Sequence, residues 1–215
     1  MLVAPSILSA DFGQLKRDLE ELKDAEADLL HIDIMDGHFV PNISLGIPVM
    51  QAINNYSDLP KDVHLMINKP ESFIKEFIGL GADYVTIHPE ATSQLEHCID
   101  LIRSNGAKPG IALNPETELD VVLPYLHRID LLLFMTINPG FGGQKFIDSV
   151  VDKMIKANSY REKHGLNNLL FEVDGGINEE TAKVCSENNI DILVSGSTIF
   201  NSKNKKSTIR NLRNV

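Results

Sequence analysis

Two periodicities alternate along the chain. Short runs in which every second residue is apolar are followed by stretches in which apolar residues recur at three- and four-residue spacing. The period-two signal is plainest in His31-Ile32-Asp33-Ile34-Met35-Asp36-Gly37, where His31, Asp33 and Met35 share one face and Ile32 and Ile34 the other. It recurs at 62–67, with Asp62, His64 and Met66 opposite Val63, Leu65 and Ile67, and at 82–88, with Tyr84, Thr86 and His88 opposite Val85 and Ile87. Further strands are predicted at 2–8, 28–35 (which takes in the first run up to Met35), 108–113, 129–137, 168–174 and 191–195. Between them the helical period predicts helices at 14–24, 46–54, 71–80, 93–104, 119–126 (shortened by Pro124), 146–164 and 179–188. A last helix starts near Thr198, is interrupted around 202–206 and runs to about Asn211.

Strand and helix thus alternate about eight times, which implies a parallel sheet. Eight such units in 215 residues predict an α/β fold of the (β/α)₈ barrel type, with the whole chain, 1–215, as one catalytic domain. The competing architecture is an open doubly wound sheet. Against it, no GxGxxG or GxxxxGK[ST] follows any predicted strand. The longer loops follow the second and sixth strands, where function is expected.

Composition narrows the function classes. The net charge of -10 argues against general affinity for nucleic acid or an anionic membrane, but not against a small anionic substrate held by backbone N–H groups. No apolar run approaches the roughly 20 residues that span a bilayer. The start, Met-Leu-Val-Ala-Pro, lacks the basic and apolar regions of a signal peptide. Cys98 and Cys185 form no metal or disulfide pattern and read as buried small hydrophobes, so a cytoplasmic location is expected.

In a parallel barrel, chemistry sits at the C-terminal ends of the strands. His31, Asp33, His64 and Asp174 all fall there, on the inward parity. A single inward histidine is usually a hydrogen-bonded core residue, and a strand-end aspartate often caps the next helix. All four together at matched depth would repel or stay unsatisfied without a cation. Histidine and carboxylate suit a divalent ion such as Zn²⁺, Mn²⁺, Fe²⁺ or Co²⁺. A second constellation suits an anion: Gly140, Phe141, Gly142 and Gly143, then Gly175 and Gly176, then Gly196 and Ser197, follow the sixth, seventh and eighth strands, the usual phosphate position in such barrels. Met35, Met66 and Met135 lie on or near the same face, as core filling or as a dry wall around reacting carbons. His88 either orients a ligand or is a satisfied core histidine, and Glu172, one layer below Asp174, reads as structural. Asp36 reads as a turn former before Gly37.

Several longer strings resemble the ribulose-phosphate 3-epimerase family: Ala4-Pro5-Ser6-Ile7-Leu8-Ser9-Ala10-Asp11, His31 to Gly37, Val40-Pro41-Asn42, Asp62-Val63-His64-Leu65-Met66, Asn138-Pro139-Gly140-Phe141-Gly142-Gly143-Gln144, Glu172-Val173-Asp174-Gly175-Gly176 and Gly196-Ser197. They run in order from first strand to last. Mild departures occur at Thr136, Ile137 and Thr198, beside the site. The resemblance implies a barrel that interconverts D-ribulose 5-phosphate and D-xylulose 5-phosphate in the pentose phosphate pathway. It implies one divalent cation on His31, Asp33, His64 and Asp174, with Zn²⁺ placed first and Fe²⁺, Mn²⁺ or Co²⁺ as alternatives. Asp33 is implied as proton acceptor and Asp174 as proton donor. Ser6, His64, Gly140, Phe141, Gly142, Gly143, Asp174, Gly175, Gly176, Gly196 and Ser197 are implied substrate contacts, and Met35, Met66 and Met135 pocket wall. Self-association into a homo-oligomer is expected of such barrels.

Epimerisation beside a ketone requires a C–H proton to leave and return on the opposite face through an enediolate, which two carboxylates and a Lewis acid can provide. Three alternatives compete: an allulose-6-phosphate 3-epimerase, decarboxylase or aldol chemistry, which needs an inward lysine that no placed strand supplies, and a phosphosugar-binding barrel without catalysis.

Overall fold

The computed structural model describes all residues, 1–215. Eight parallel strands form one sheet: β1 (Leu2–Pro5), β2 (Leu30–Met35), β3 (Lys61–Met66), β4 (Tyr84–Ile87), β5 (Lys108–Leu113), β6 (Leu131–Met135), β7 (Leu170–Asp174) and β8 (Ile192–Ser195). Neighbours in the sheet are neighbours in sequence from β2 to β8, and β8 pairs with β1. The seam between β1 and β2 is held by an isolated bridge, Ser6 to His31, and by Asp28. The Asp28 N–H donates to the Val3 carbonyl at 3.1 Å, and its carboxylate accepts the Val3 N–H at 2.8 Å. This nearly closes a (β/α)₈ barrel.

The helices are α1 (Leu15–Asp24), α2 (Ile47–Tyr56), α3 (Ile74–Gly79), α4 (Leu95–Ser104), α5 (Val151–Lys163), α6 (Glu179–Glu187), α7 (Ser197–Phe200) and α8 (Lys205–Arg213). Their apolar stripes pack on the outward parity of the strands. In α4 the stripe is Leu95, Cys98, Ile99 and Ile102, all buried, at the spacing of one helix face. These side chains belong to the main core of 47 buried residues between sheet and helices, together with Ile32, Ile34, Val63 and Leu65. Burying each Leu or Ile there contributes roughly 1.5–3 kcal/mol. The inward parity forms a separate small cluster that includes Ala4, Ala112, Leu131, Leu133, Met135 and Val194. No helix is long and apolar enough to cross a membrane.

All eight expected strands are present, and the helices too except the one expected at 119–126; the other differences lie at element edges. The first strand ends at Pro5 rather than at residue 8, because the chain turns into a 3₁₀ turn over Ile7–Ser9. The helix expected at 119–126 is instead two 3₁₀ segments, Leu119–Val121 and Leu123–Arg128. Pro124 has no N–H to donate, so the i to i−4 ladder cannot propagate through it. Residues 146–150, expected as the start of α5, form loop and a 3₁₀ turn over Asp148–Val150.

Candidate active site

Four side chains converge at the C-terminal mouth. His31, Asp33, His64 and Asp174 place one ligand atom each within 4.8 Å of one another. Register explains the meeting: Asp33 on β2 lies opposite His64 on β3, and His31 lies opposite Asp62. Asp33 Oδ1 is the hub, 3.3 Å from both His31 Nε2 and His64 Nδ1, while Asp174 Oδ2 is 4.0 Å from His31 Nε2. The histidines are wholly buried, whereas the Asp174 side chain keeps 15% exposure toward the mouth. His31 Nε2 is buried without a hydrogen bond. An orphaned imidazole nitrogen facing two carboxylates is the arrangement a divalent cation satisfies, so this donor set fits one.

Beneath the four lies a polar layer that fixes them. Asp62 Oδ2 accepts from His31 Nδ1 at 2.6 Å, and Asp62 Oδ1 accepts from the Thr86 hydroxyl at 3.0 Å. The carboxylate on Nδ1 sets the His31 tautomer and aims Nε2 into the cluster. Gly110 makes room for Thr86: a Cβ there would sit 2.4 Å from the Thr86 Oγ1. The Ser6 hydroxyl donates to Asp33 Oδ2 at 2.6 Å. Thr136 binds the Asp174 carbonyl through both its N–H (2.8 Å) and its hydroxyl (3.0 Å), which orients the end of β7.

These environments drive the proton affinities apart. Burial would raise the Asp33 carboxyl, but the imidazoles of His31 and His64 outweigh it and hold Asp33 well below the usual range. Burial and then the charge of Asp33 push the Asp174 carboxyl up to about 7. Burial would lower His31, yet Asp33 and Asp62 hold it well above its ordinary value. Burial takes His64 down to about 4. Burial, and then the charge of Asp62, raise Glu172 well above its ordinary carboxylate value.

Above the cluster opens a cavity of about 190 Å³. Its floor carries Asp33 and Asp174, and its apolar side carries Met35, Met66 and Met135. Met35 and Met66 pack with Val40, while Met135 packs with the barrel interior on the other side. Ser6 lines the rim with Gly140, Phe141, Gly142 and Gly143, then Gly175, Gly176, Gly196 and Ser197. His31 and His64 have no exposed surface and do not line this space, so His64 is placed below the cavity. No lysine, arginine or histidine lines it either.

The backbone N–H groups of Gly175, Gly176 and Gly196 donate to no main-chain carbonyl, so this rim offers donors to an anion. Gly176 sits at φ 66°, and a Cβ there would lie 2.4 Å from the Phe146 nitrogen, so only glycine lets the sixth and seventh loops touch. The Thr198 hydroxyl donates to the Ile177 carbonyl at 2.6 Å and ties the seventh loop to the eighth. Asn42 Nδ2 donates to the Gly140 carbonyl at 2.7 Å, joining the second loop to the sixth. Asp36 is indeed a turn former: its carboxylate accepts the N–H groups of His38 at 2.8 Å, Phe39 at 2.9 Å and Asn68 at 2.8 Å.

Residues 2–200 match the model of the ribulose-phosphate 3-epimerase family. The ribulose-phosphate 3-epimerase of Bacillus subtilis is 45% identical over 211 residues, 98% of this chain and 97% of that protein. That of Helicobacter pylori strain J99 is 41% identical, covering 100% of this chain and 98% of that one. The chloroplastic enzyme of Arabidopsis thaliana is also 41% identical, over 99% of this chain and 76% of its own. Among solved structures, 3-hexulose-6-phosphate synthase from Salmonella typhimurium superposes with a TM-score of 0.74 at 18% identity, covering 99% of this chain and 96% of that one, a likeness of fold. With the family match, full-length relatives and a barrel mouth carrying the motif residues together, the chain belongs to the ribulose-phosphate 3-epimerase family of isomerases.

Proposed function

We propose that this chain, acting as one catalytic domain, interconverts D-ribulose 5-phosphate and D-xylulose 5-phosphate with one divalent cation held by His31, Asp33, His64 and Asp174. The observation that carries the reading is the pair of carboxylates, Asp33 and Asp174, on the floor of one cavity beside His31 and His64; before a cation binds, their surroundings hold Asp33 low and raise Asp174 to about 7. Groups whose environments drive their proton affinities apart divide naturally into base and acid. Asp33 takes the C3 proton on one side of the substrate, and Asp174 delivers a proton to the other; in the reverse direction the roles exchange. Ser6 holds Asp33 in place for this. The methionines keep water from the reacting carbons, and the glycine rim receives the phosphate through backbone N–H groups. A bound cation supplies Lewis-acid stabilisation of the charge that develops on substrate oxygens. We infer a cytoplasmic enzyme, in keeping with two free, buried cysteines.

The absence of a lysine in the cavity lining speaks against Schiff-base aldol chemistry. The test is to incubate ribulose 5-phosphate with the cation-loaded enzyme in heavy water, beside allulose 6-phosphate. Xylulose 5-phosphate carrying deuterium at C3 is expected, with slower turnover of the hexose. No deuterium at C3 would point to a binding barrel, and faster turnover of allulose 6-phosphate would reassign the substrate.

Cation uptake is expected to depend on pH. At pH 6 both His31 and Asp174 carry protons that a cation must displace, since both are shifted upward. As pH rises through about 7, Asp174 ionises unaided, so binding tightens between pH 6 and 8, by up to about tenfold per pH unit for each proton displaced. Titration calorimetry in two buffers of different protonation enthalpy reads the released protons directly. An affinity flat across that range would contradict the ligand set.

A further inference from the structure

His64 reaches the cluster through Nδ1, and its other nitrogen is also engaged. Nε2 lies 2.8 Å from Nε2 of His88, the residue just after β4. Both rings are fully buried, and they stack with centroids 5.0 Å apart. Phe39 covers the outer side of His88 at 4.9 Å. A nitrogen–nitrogen hydrogen bond needs one donor and one acceptor, so two tautomeric arrangements are possible. In one, His64 donates from Nε2, leaving the Nδ1 lone pair facing the cluster and the His88 proton on Nδ1. In the other, His88 donates, and His64 Nδ1 carries a proton that blocks ligation.

Carboxylates stand at both ends of the pair: Asp33 Oδ1, 3.3 Å from His64 Nδ1, favours a proton there, but a cation held by Asp33 removes that preference, and the far side of His88 then decides. His88 Nδ1 is buried and lacks a well-formed hydrogen bond, and Glu90 Oε2 stands 3.5 Å from it. A carboxylate there attracts an N–H and repels a lone pair. Glu90 is itself anchored: its Oε1 accepts from the Thr117 hydroxyl in the loop after β5. The Thr117 carbonyl accepts from Lys153 Nζ on α5, which also donates to the carbonyls of Asn114 (3.0 Å) and Pro115 (3.1 Å). Lysine, threonine, glutamate and two histidines thus form one chain from the outer helix layer to the cluster.

We propose that Glu90 and His88 are positioning residues that select the His64 tautomer with its proton on Nε2, so that Nδ1 is presented to the cation as a lone pair. This rests on the cation reading above for its consequence, but the pull of Glu90 on the tautomer can be read without metal, by comparing the parent with a Glu90 variant. The arrangement extends around His64 what Asp62 does for His31, with a histidine interposed between carboxylate and ligand. A merely structural Glu90 would affect stability and leave both the tautomer and cation affinity alone.

The experiment is nitrogen NMR of histidine-labelled protein, metal-free and loaded with Zn²⁺, together with Zn²⁺ affinity by chelator competition. Loaded with Zn²⁺, the parent protein is expected to carry its protons on His64 Nε2 and His88 Nδ1; metal-free, Asp33 and Glu90 compete for the proton from opposite ends of the pair. Glu90→Leu is expected to mix the tautomers and weaken Zn²⁺ binding by about 10–100-fold, the usual effect of losing an outer partner of a ligating histidine. Glu90→Gln, which keeps an acceptor oxygen, is expected to retain the parent tautomer. A Zn²⁺-loaded parent spectrum with the His88 proton on Nε2 would overturn the assignment. So would a Glu90→Leu protein with unchanged tautomer and unchanged Zn²⁺ affinity. If Glu90→Leu does not fold, the parent spectra and Glu90→Gln decide. A parent that binds no Zn²⁺, Mn²⁺ or Co²⁺ would sink the cation reading alone, and the shift of the metal-free tautomers toward His64 Nδ1 on going from parent to Glu90→Leu would still judge the relay.

Discussion

Asp174→Asn is expected to lower epimerase turnover by about 10²–10⁴-fold, the usual contribution of a positioned acid or base, without loss of the cooperative thermal transition. The amide fills the same volume and cannot carry the proton. Asp33→Asn is expected to do the same, and the two variants differ in a way that ordinary structural damage would not produce. With one carboxylate left, the enzyme can remove and return a proton on one face only. Each variant therefore exchanges C3 hydrogen with heavy water in one epimer, without inverting it, and the two variants favour opposite epimers. NMR of each substrate after incubation with each variant reads this directly. If both variants exchange the same epimer, or if Asp174→Asn stays active, the division of roles between Asp33 and Asp174 is wrong.

Stripping the cation is expected to be of similar magnitude. No cationic side chain lines the cavity, so nothing else there can neutralise charge developing on the substrate oxygens. Losing several kcal/mol of Lewis-acid stabilisation corresponds to roughly 10²–10⁴-fold in rate. Removal with a chelator, checked by elemental analysis, is expected to abolish measurable turnover. Adding back Zn²⁺, Fe²⁺, Mn²⁺ or Co²⁺ one at a time then shows which ions serve, a choice that two histidines and two carboxylates leave open. Full activity in protein shown to hold no metal would remove the cation from the mechanism. Stripping also leaves Asp33 and Asp62 beside His31, where they raise its proton affinity.

Much of this site is legible in the sequence because strand parity is a hard constraint. Side chains alternate faces, so the apolar sets Ile32/Ile34 and Val63/Leu65 had to face the helices, and His31, Asp33 and His64 had to face inward. Strand order followed from the βα rhythm, and the glycine strings marked the sixth, seventh and eighth loops. Element edges were less legible. The 3₁₀ turns before α5 and after β1 satisfy the same local apolar spacing as a longer helix or strand, and only neighbouring elements decide where the ladder stops.

What parity cannot supply is depth and angular position around the barrel. Asp62 shares the inward face with His64, yet its role appears only once register sets it opposite His31. A register drawn between the second and third strands would have found it. Glu90 and Thr117 lie 27 residues apart on different loops, and nothing local connects either to His64. By itself the sequence determined the fold class, the inward faces and the identity of the four converging side chains, because periodicity and residue chemistry are local properties. The tertiary structure alone decided which nitrogen of each histidine faces the cluster, which carboxylate stays ionised and which takes up a proton. Those follow from burial and from charges contributed by other strands, and both exist only when the barrel is assembled.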